Sequence, residues 1–421
     1  MKRYLIIGSG PAALSAIETI RKRDLTSEIF LLSEEPYPPY SRPLISYLLA
    51  GKIEEKRIFY KGRDFYERYD VTAYLGERAV GLNTKEGMVY TSKDNRFSYD
   101  KLLIATGGKP IVPPVEGRDL EGIFTFTKLD DVKEIRKYLE EKKAEKAVVI
   151  GGGLIGLKAT EALMELGIKI TIVELADRIL GLTLDKKASS ILQSALEREG
   201  VRVITGNTAQ ELRGREKVEE VVLRSGEVIP TDIVLFAIGV SPAVDFLSES
   251  ELKVNRGVLV NERMETNIPN IYAAGDVVEL DNILIGRKQV IAIWPNASDG
   301  GKVAGENMLG GESEFRGSFP MNSVEICGIP TISMGITEPE NQDYEVLIKE
   351  KEGEYKKIVI KDGRIIGAVF VGNIDRVGIY CGLIKEGMDV SGFKERLLDD
   401  DFGLIYLPKN YRKMKLEAVE L

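Results

Sequence analysis

The residues of this chain best suited to chemistry are glycines followed at a distance by acids. Gly8-x-Gly10-x-x-Ala13 directly follows the apolar run "YLII", and Gly151-x-Gly153-x-x-Gly156 follows "KAVVI". In each motif the first glycine makes a tight turn and the second lets backbone approach a pyrophosphate. The small third residue lets a helix pack closely on the strand. The helix N-terminus then offers unsatisfied N–H groups and a favourable dipole to phosphate. An acid ends the next strand in both copies: Glu34 in "EIFLLSEE" and Glu174 in "KITIVE". A carboxylate there accepts bonds from ribose hydroxyls and repels a 2′-phosphate, which favours NADH over NADPH at the second site. Arg178 lies close by and pulls the other way. Two such devices in one protein point to two nucleotides that must meet.

Composition narrows the chemistry further. The 421 residues allow two or three domains, and 43% hydrophobic with 29% charged content is ordinary for a globular protein. There is no histidine, which excludes Ser-His-Asp and Cys-His catalysis and His-ligated metals. Cys327 and Cys381 are far apart and form no CxxC, so a protein-bound iron–sulfur cluster or zinc site cannot be built from them. A net charge of −8 argues against nucleic acid as a partner. No apolar run reaches the roughly 20 residues of a membrane span, and the glycine-broken N-terminus reads as a cytoplasmic start. Hydride transfer between bound cofactors survives these exclusions, because it requires position and no side-chain base.

The elements that must position these residues form an α/β pattern. Around the two motifs stand "YDKLLIATGGKP" (99–110), "IVLFAIGVSP" (233–242) and "NIPNIYAAGDVVE" (267–279). In this order the five segments resemble the two-dinucleotide flavoprotein family, the pyridine nucleotide-disulfide oxidoreductase superfamily, along essentially the whole chain. The resemblance implies two Rossmann-like three-layer domains, with an NAD(H) domain at 109–240 inserted into an FAD domain made of 1–108 and 241–316. A small α+β interface domain follows at 317–421. It implies that Gly8, Ser9, Gly10, Pro11 and Ala13 hold the FAD pyrophosphate. Glu34 takes the ribose, Asp276 the ribityl chain, and Val80, Gly275 and Trp294 belong to the same site. Thr106 and Gly107 mark the crossing between domains. Gly151, Gly153, Ile155, Gly156 and Glu174 hold NAD, with Gly239 near the nicotinamide half. A nicotinamide and a flavin must stack at roughly 3 to 3.5 Å, which is why one chain needs two nucleotide folds.

The branch is read from "EEPYPPYSRPLISYLLAGK", 34–52. Disulfide reductases of this superfamily carry a cysteine there, beside the flavin; this chain carries none. "YSRPLIS" resembles rubredoxin and ferredoxin reductases and the flavin domain of nitrite reductases, with Arg42 as an FAD contact. Without a thiol relay, electrons pass straight from flavin to acceptor. Lys158 stands where the family usually has Glu, and Tyr47 where ferredoxin reductases often have its Lys mate. Lys158 is therefore expected either at the flavin N5 edge, stabilising charge on the reduced ring, or pointing to solvent.

Beyond about 317 the chain reads as strands, with a turn at Asp362-Gly363 and a helix in "NIDRVGIYCGLIKEG". Cys327 is expected in one of the strands and Cys381 in the helix, both as buried structural thiols. A domain of this kind is often an interface in the family, which leaves a homodimer open. The reading as a whole is an FAD-dependent NAD(P)H:acceptor oxidoreductase, with NADP(H) the less favoured nucleotide. Its partner is a small electron carrier such as rubredoxin or ferredoxin, or the iron–sulfur subunit of a larger complex. An NADH oxidase reducing oxygen and a non-catalytic NADH-sensing flavoprotein are the alternatives.

Overall fold

The computed structural model describes residues 2–339 and 343–417. By internal packing the chain divides into two compact units. The first comprises 1–113, 124–143 and 238–319, and the second 114–123, 144–237 and 320–421.

The first unit is built on a five-stranded parallel sheet. Its order is Ile271–Ala273, Lys101–Ile104, Arg3–Ile7, Glu28–Ser33 and Val71–Leu75. Leu5, Ile6, Leu102, Leu103 and Ile104 are wholly buried, as expected for central strands covered on both faces. Helices Pro11–Arg21 and Trp294–Met308 pack against each other with little between them. A Cβ on Gly301 would lie 2.1 Å from the Ala12 carbonyl oxygen, and one on Gly305 3.0 Å from that of Ala16. Ser15 and Ser298 share a 2.9 Å hydrogen bond across the same contact. The small residues of "NASDGGKVAGEN" thus bring the second helix onto the first, one turn beyond the glycine motif.

The second unit repeats the parallel architecture. Arg202–Ile204, Lys169–Val173, Lys146–Ile150 and Ile233–Phe236 lie side by side in that order. A three-stranded antiparallel sheet, Ala209–Arg213, Glu220–Leu223 and Val228–Pro230, shares their apolar core. The C-terminal part is a five-stranded antiparallel sheet in the order Met321–Ile326, Ile329–Gly335, Arg364–Val371, Glu354–Lys361, Glu345–Lys351. Helix Val377–Glu386 packs on strand Arg364–Val371. Asp362, at φ 49°, makes the expected turn.

One expectation fails here. Cys327 lies in no strand: with Gly328 it forms the hairpin turn between Met321–Ile326 and Ile329–Gly335, at φ 48°. The expectation of Cys327 within a strand missed that Cys-Gly can make a turn. Both cysteines are half-buried.

A buried polar cluster fastens the C-terminal sheet to helix Lys186–Arg198. Asp185 caps that helix by accepting from Ala188 N at 3.0 Å. Its other oxygen accepts from Tyr355 Oη at 2.6 Å and Lys357 Nζ at 2.8 Å. Among the described residues no helix is long and apolar enough to cross a membrane.

Candidate functional site

Both glycine motifs form the turn that their spacing calls for. Gly8 N donates to Leu32 O and Gly151 N to Val173 O, each at 2.8 Å, so each turn hangs from the neighbouring strand. Gly8 and Gly151 have φ of +111° and +114°, a region that side chains disfavour. A Cβ on Gly8 would also lie 2.1 Å from the Ala105 carbonyl oxygen. Gly156 closes the second motif: its Cβ would fall 2.0 Å from Gly151 O. Ala13, wholly buried, has the matching place in the first. Ile155 is half-buried in the first turn of its helix.

The middle glycines behave differently. Gly10 and Gly153 are the N-caps of helices Pro11–Arg21 and Leu154–Glu165, and neither makes a side-chain capping bond. Nothing lies within 4 Å of where their Cβ atoms would be. Each helix therefore presents N–H donors to open space, the arrangement that receives a phosphate. Pro11, at the start of its helix, withdraws no needed donor. Beside the first turn, Ser9 Oγ lies 3.0 Å from Ser33 Oγ. Tyr66, 8% exposed, has a hydroxyl without a hydrogen-bond partner among the described residues. Burial raises its pKa, and the Ser9 hydroxyl opposes that rise. A buried hydroxyl near Ser9 but outside hydrogen-bond geometry with it, beside an uncapped helix, fits a further polar group there.

Other residues of the first unit make contacts of their own. Glu34 is exposed and pairs with Lys128 Nζ at 3.3 Å. Its neighbour Glu35 is buried and accepts from Tyr40 Oη and the Arg42 guanidinium. Arg42 also donates to Thr127 O at 2.7 Å. Burial raises the Asp276 pKa, and the Arg42 charge opposes it. No hydrogen bond to the Asp276 carboxylate is formed among the described residues. Gly275 packs on the first helix: its Cβ would be 3.2 Å from Ala12 Cβ. Thr106 Oγ1 donates to Ala243 O, and Gly107 O accepts from Ala243 N, each at 2.9 Å. Gly239 O accepts from Ile111 N at 3.0 Å. Trp294 opens helix Trp294–Met308, 37% exposed, with its ring edge-on to Tyr60 at 5.2 Å. Val80 is exposed in strand Ala79–Asn83, part of a separate three-stranded sheet. The described residues hold no cluster of acids and cysteines suited to a metal.

In the second unit Glu174 folds back on its own glycine turn. One carboxylate oxygen accepts from Gly152 N at 2.6 Å and the other from Ala176 N at 2.7 Å. Lys158 does not point simply to solvent. Its Nζ lies 2.6 Å from Glu161 Oε2 and 3.4 Å from Glu325 O. Glu161 uses its other oxygen to accept from Cys327 N at 2.9 Å. It thereby ties the lysine, one turn into the helix, to the hairpin turn. Burial, then Glu161 and Glu199, push the Cys327 thiol up to about 11, and burial raises Cys381. Sequence reasoning missed Glu161, although a Lys-x-x-Glu pair on one helix face was there to be read. It also missed Glu35 and Tyr66, whose burial no local pattern announces.

Residues 2–301 match the family model described as pyridine nucleotide-disulphide oxidoreductase, and 320–388 match the rubredoxin NAD+ reductase C-terminal domain. The chain is 33% identical over 396 residues to nitrite reductase [NAD(P)H] of Bacillus subtilis, covering 93% of this chain and 48% of that protein. It thus spans about half the length of that relative. It is 32% identical over 401 residues to the epsilon subunit of the NADH-dependent phenylglyoxylate dehydrogenase of Aromatoleum evansii, covering 94% of both chains. Among solved structures, NADH:rubredoxin oxidoreductase from Clostridium acetobutylicum superposes with a TM-score of 0.76 at 27% identity, covering 93% of this chain and 97% of that one.

Proposed function

Because the chain belongs to the pyridine nucleotide-disulphide oxidoreductase family, which is FAD-dependent and uses NAD(P)H, we propose that it carries electrons from NADH to a protein acceptor. The acceptor is a rubredoxin- or ferredoxin-like carrier, or an iron–sulfur subunit with which the chain assembles. FAD, when bound, supplies the exchange between a two-electron donor and a one-electron acceptor. The protein supplies position. Gly8, Ser9, Gly10, Pro11 and Ala13 hold the pyrophosphate against the first helix, and Asp276 and Arg42 take the sugar and ring side. Gly151, Gly153, Gly156 and Glu174 hold the dinucleotide on the second helix. On the FAD side Glu34 or Glu35, Gly275, Trp294 and Val80 belong to the same site, Thr106 and Gly107 mark the crossing of the chain, and Gly239 serves the nicotinamide half.

The observation that carries the acceptor assignment is the lack of sulfur in 34–52. The two cysteines of the chain lie elsewhere, at 327 and 381, with thiols held above their ordinary range. A raised pKa leaves little thiolate to attack a disulfide or persulfide. Electrons therefore leave without a cysteine relay. The test is anaerobic stopped-flow reduction of the flavin by NADH, followed by mixing with oxidised rubredoxin or ferredoxin. Loss of flavin absorbance with NADH and its return with the carrier are expected. A flavin that neither NADH nor NADPH reduces refutes the reading, and rapid aerobic NADH consumption without carrier favours oxygen as acceptor.

The match to the phenylglyoxylate dehydrogenase subunit over 94% of both chains favours the version in which this chain is one subunit of a complex. Iron–sulfur subunits retained on affinity purification from the native host would support it. In that case electrons can also run toward NAD+.

A further inference from the structure

We propose that Glu338, far outside the second glycine motif, acts as a nucleotide-selectivity residue by holding the Arg178 guanidinium out of reach of a 2′-phosphate. The inference rests on the reading of the second fold as the NAD(H) site and adds to it how NADPH is refused.

Arg178 stands four residues beyond Glu174, in a loop that lies over the glycine turn. Leu180 N donates to Gly152 O at 2.9 Å. Ile179 Cγ2 and Glu174 Cβ would sit 3.0 and 3.2 Å from a Cβ on Gly152. The same turn donates Gly152 N to Glu174. A guanidinium at this place is a ready fork for phosphate oxygens, so Glu174 alone would not suffice to refuse NADPH.

The guanidinium is already committed. Its Nη1 bonds Asp177 Oδ1 at 2.8 Å, Nε donates to Leu184 O at 3.2 Å, and Nη2 donates to Gly181 O at 3.3 Å. Nη2 also pairs with Glu338 Oε2. Four of the five N–H donors of an arginine are thereby engaged, and only 15% of the side chain is exposed. Three of these bonds come from the loop itself and move with it. Asp177 is moreover shared with Lys186 Nζ at 3.1 Å. Among the described residues Glu338, after the strand Ile329–Gly335, is the one acid from outside the loop that pairs with Arg178. Its own side chain is 45% exposed, so it can be neutralised without opening a core.

The test measures binding of NADH, NADPH, ADP-ribose and 2′-phospho-ADP-ribose by calorimetry, in wild type, Glu338→Gln, Glu174→Ala and the double variant. Glu338→Gln should improve the NADPH-to-NADH affinity ratio about 5- to 10-fold, the size of one charge-assisted bond partly screened by water. The gain should be larger where Glu174 no longer repels the phosphate. Adding Arg178→Ala should abolish it. A ratio unmoved in both backgrounds, or a gain that survives loss of Arg178, overturns the proposal. Unchanged NADH affinity with an unmoved ratio sinks the lock alone. A wild-type protein that binds neither NADH nor ADP-ribose sinks the nucleotide reading and the lock with it.

Discussion

Substituting Gly10 should separate cofactor binding from folding. Its φ of −82° suits any residue, and no atom lies within 4 Å of the position a Cβ would take. Alanine at a helix N-cap in place of glycine costs about 1 kcal/mol or less, which shifts the melting point of a domain this size by about 2 to 4 °C. Valine adds bulk to the same open space. That space is where the N–H donors of helix Pro11–Arg21 would meet a pyrophosphate. Pushing the phosphate away from two donors, each worth about 1.5–3 kcal/mol to a charged acceptor, loses roughly 3–6 kcal/mol. FAD affinity should then fall by about 10² to 10⁴-fold. Gly8→Ala is the control with the opposite signature. Its Cβ would meet the Ala105 carbonyl oxygen at 2.1 Å on a backbone at φ +111°, so folding itself should lose on the order of 3 kcal/mol. Fluorescence titration of apoprotein with FAD, beside thermal melts of the same apoproteins, reads both quantities. A Gly10→Val protein that binds FAD as tightly as wild type refutes the placement of the pyrophosphate. So does an apoprotein destabilised as much as Gly8→Ala.

Other expectations concern the second unit. Asp185→Asn keeps a helix cap but leaves the buried Lys357 without its counter-charge, and urea unfolding should show a loss of about 3 kcal/mol; a loss under 1 kcal/mol would show that the cluster is incidental. Burial acts to raise the Asp185 pKa, but Lys357, Tyr355 and the Ala188 N–H outweigh it and the net shift is downward. The stability it confers is therefore full above about pH 4 and fades as pH falls through the folded value, which denaturant midpoints between pH 6 and 2 would trace. Lys158→Glu should lower the flavin reduction potential if the ammonium supports charge on the reduced ring, and spectroelectrochemistry showing an unchanged potential would dismiss that role. Cys327→Ala with Cys381→Ala should retain at least half of NADH:carrier activity, and alkylation at pH 7 should be slow; a tenfold loss of activity would restore a thiol step.

What could be read from the chain in advance follows the range of the interactions. The glycine turns were legible because a strand, a turn and a helix within about 20 residues determine them. Gly8, Gly10, Gly151 and Gly153 form the turns and helix starts that their spacing calls for, and the close approach of Ala105 to Gly8 comes on top of that local pattern. The hairpin at Asp362-Gly363 was legible for the same reason. Cys327 was misplaced because a cysteine gives no turn signal, and its left-handed conformation is held from outside by Glu161, 166 residues earlier. The acid after the strand Glu28–Ser33 shows the limit too. Sequence spacing singles out Glu34, but the fold buries Glu35 between Tyr40 and Arg42 and leaves Glu34 to Lys128. Pattern finds the end of a strand to within a residue, and only packing decides which of two neighbouring carboxylates turns inward.

The same contrast governs specificity. A dinucleotide fold recognises the part of the ligand shared by many cofactors through backbone N–H groups, which local sequence can specify. It distinguishes related cofactors through side-chain charge, and charge is set by partners that arrive from anywhere in the chain. In the reading proposed above, Glu174 is the local half of that discrimination; its carboxylate is bonded within its own turn. Arg178 is ambiguous as a sequence feature, since the same guanidinium attracts a phosphate when available and ignores it when paired. Its meaning is supplied by Glu338, 160 residues downstream. A preference read from the strand-end acid alone therefore rests on only half of the physics, and a relative with the same Glu and Arg but no acid at the position of Glu338 should discriminate less.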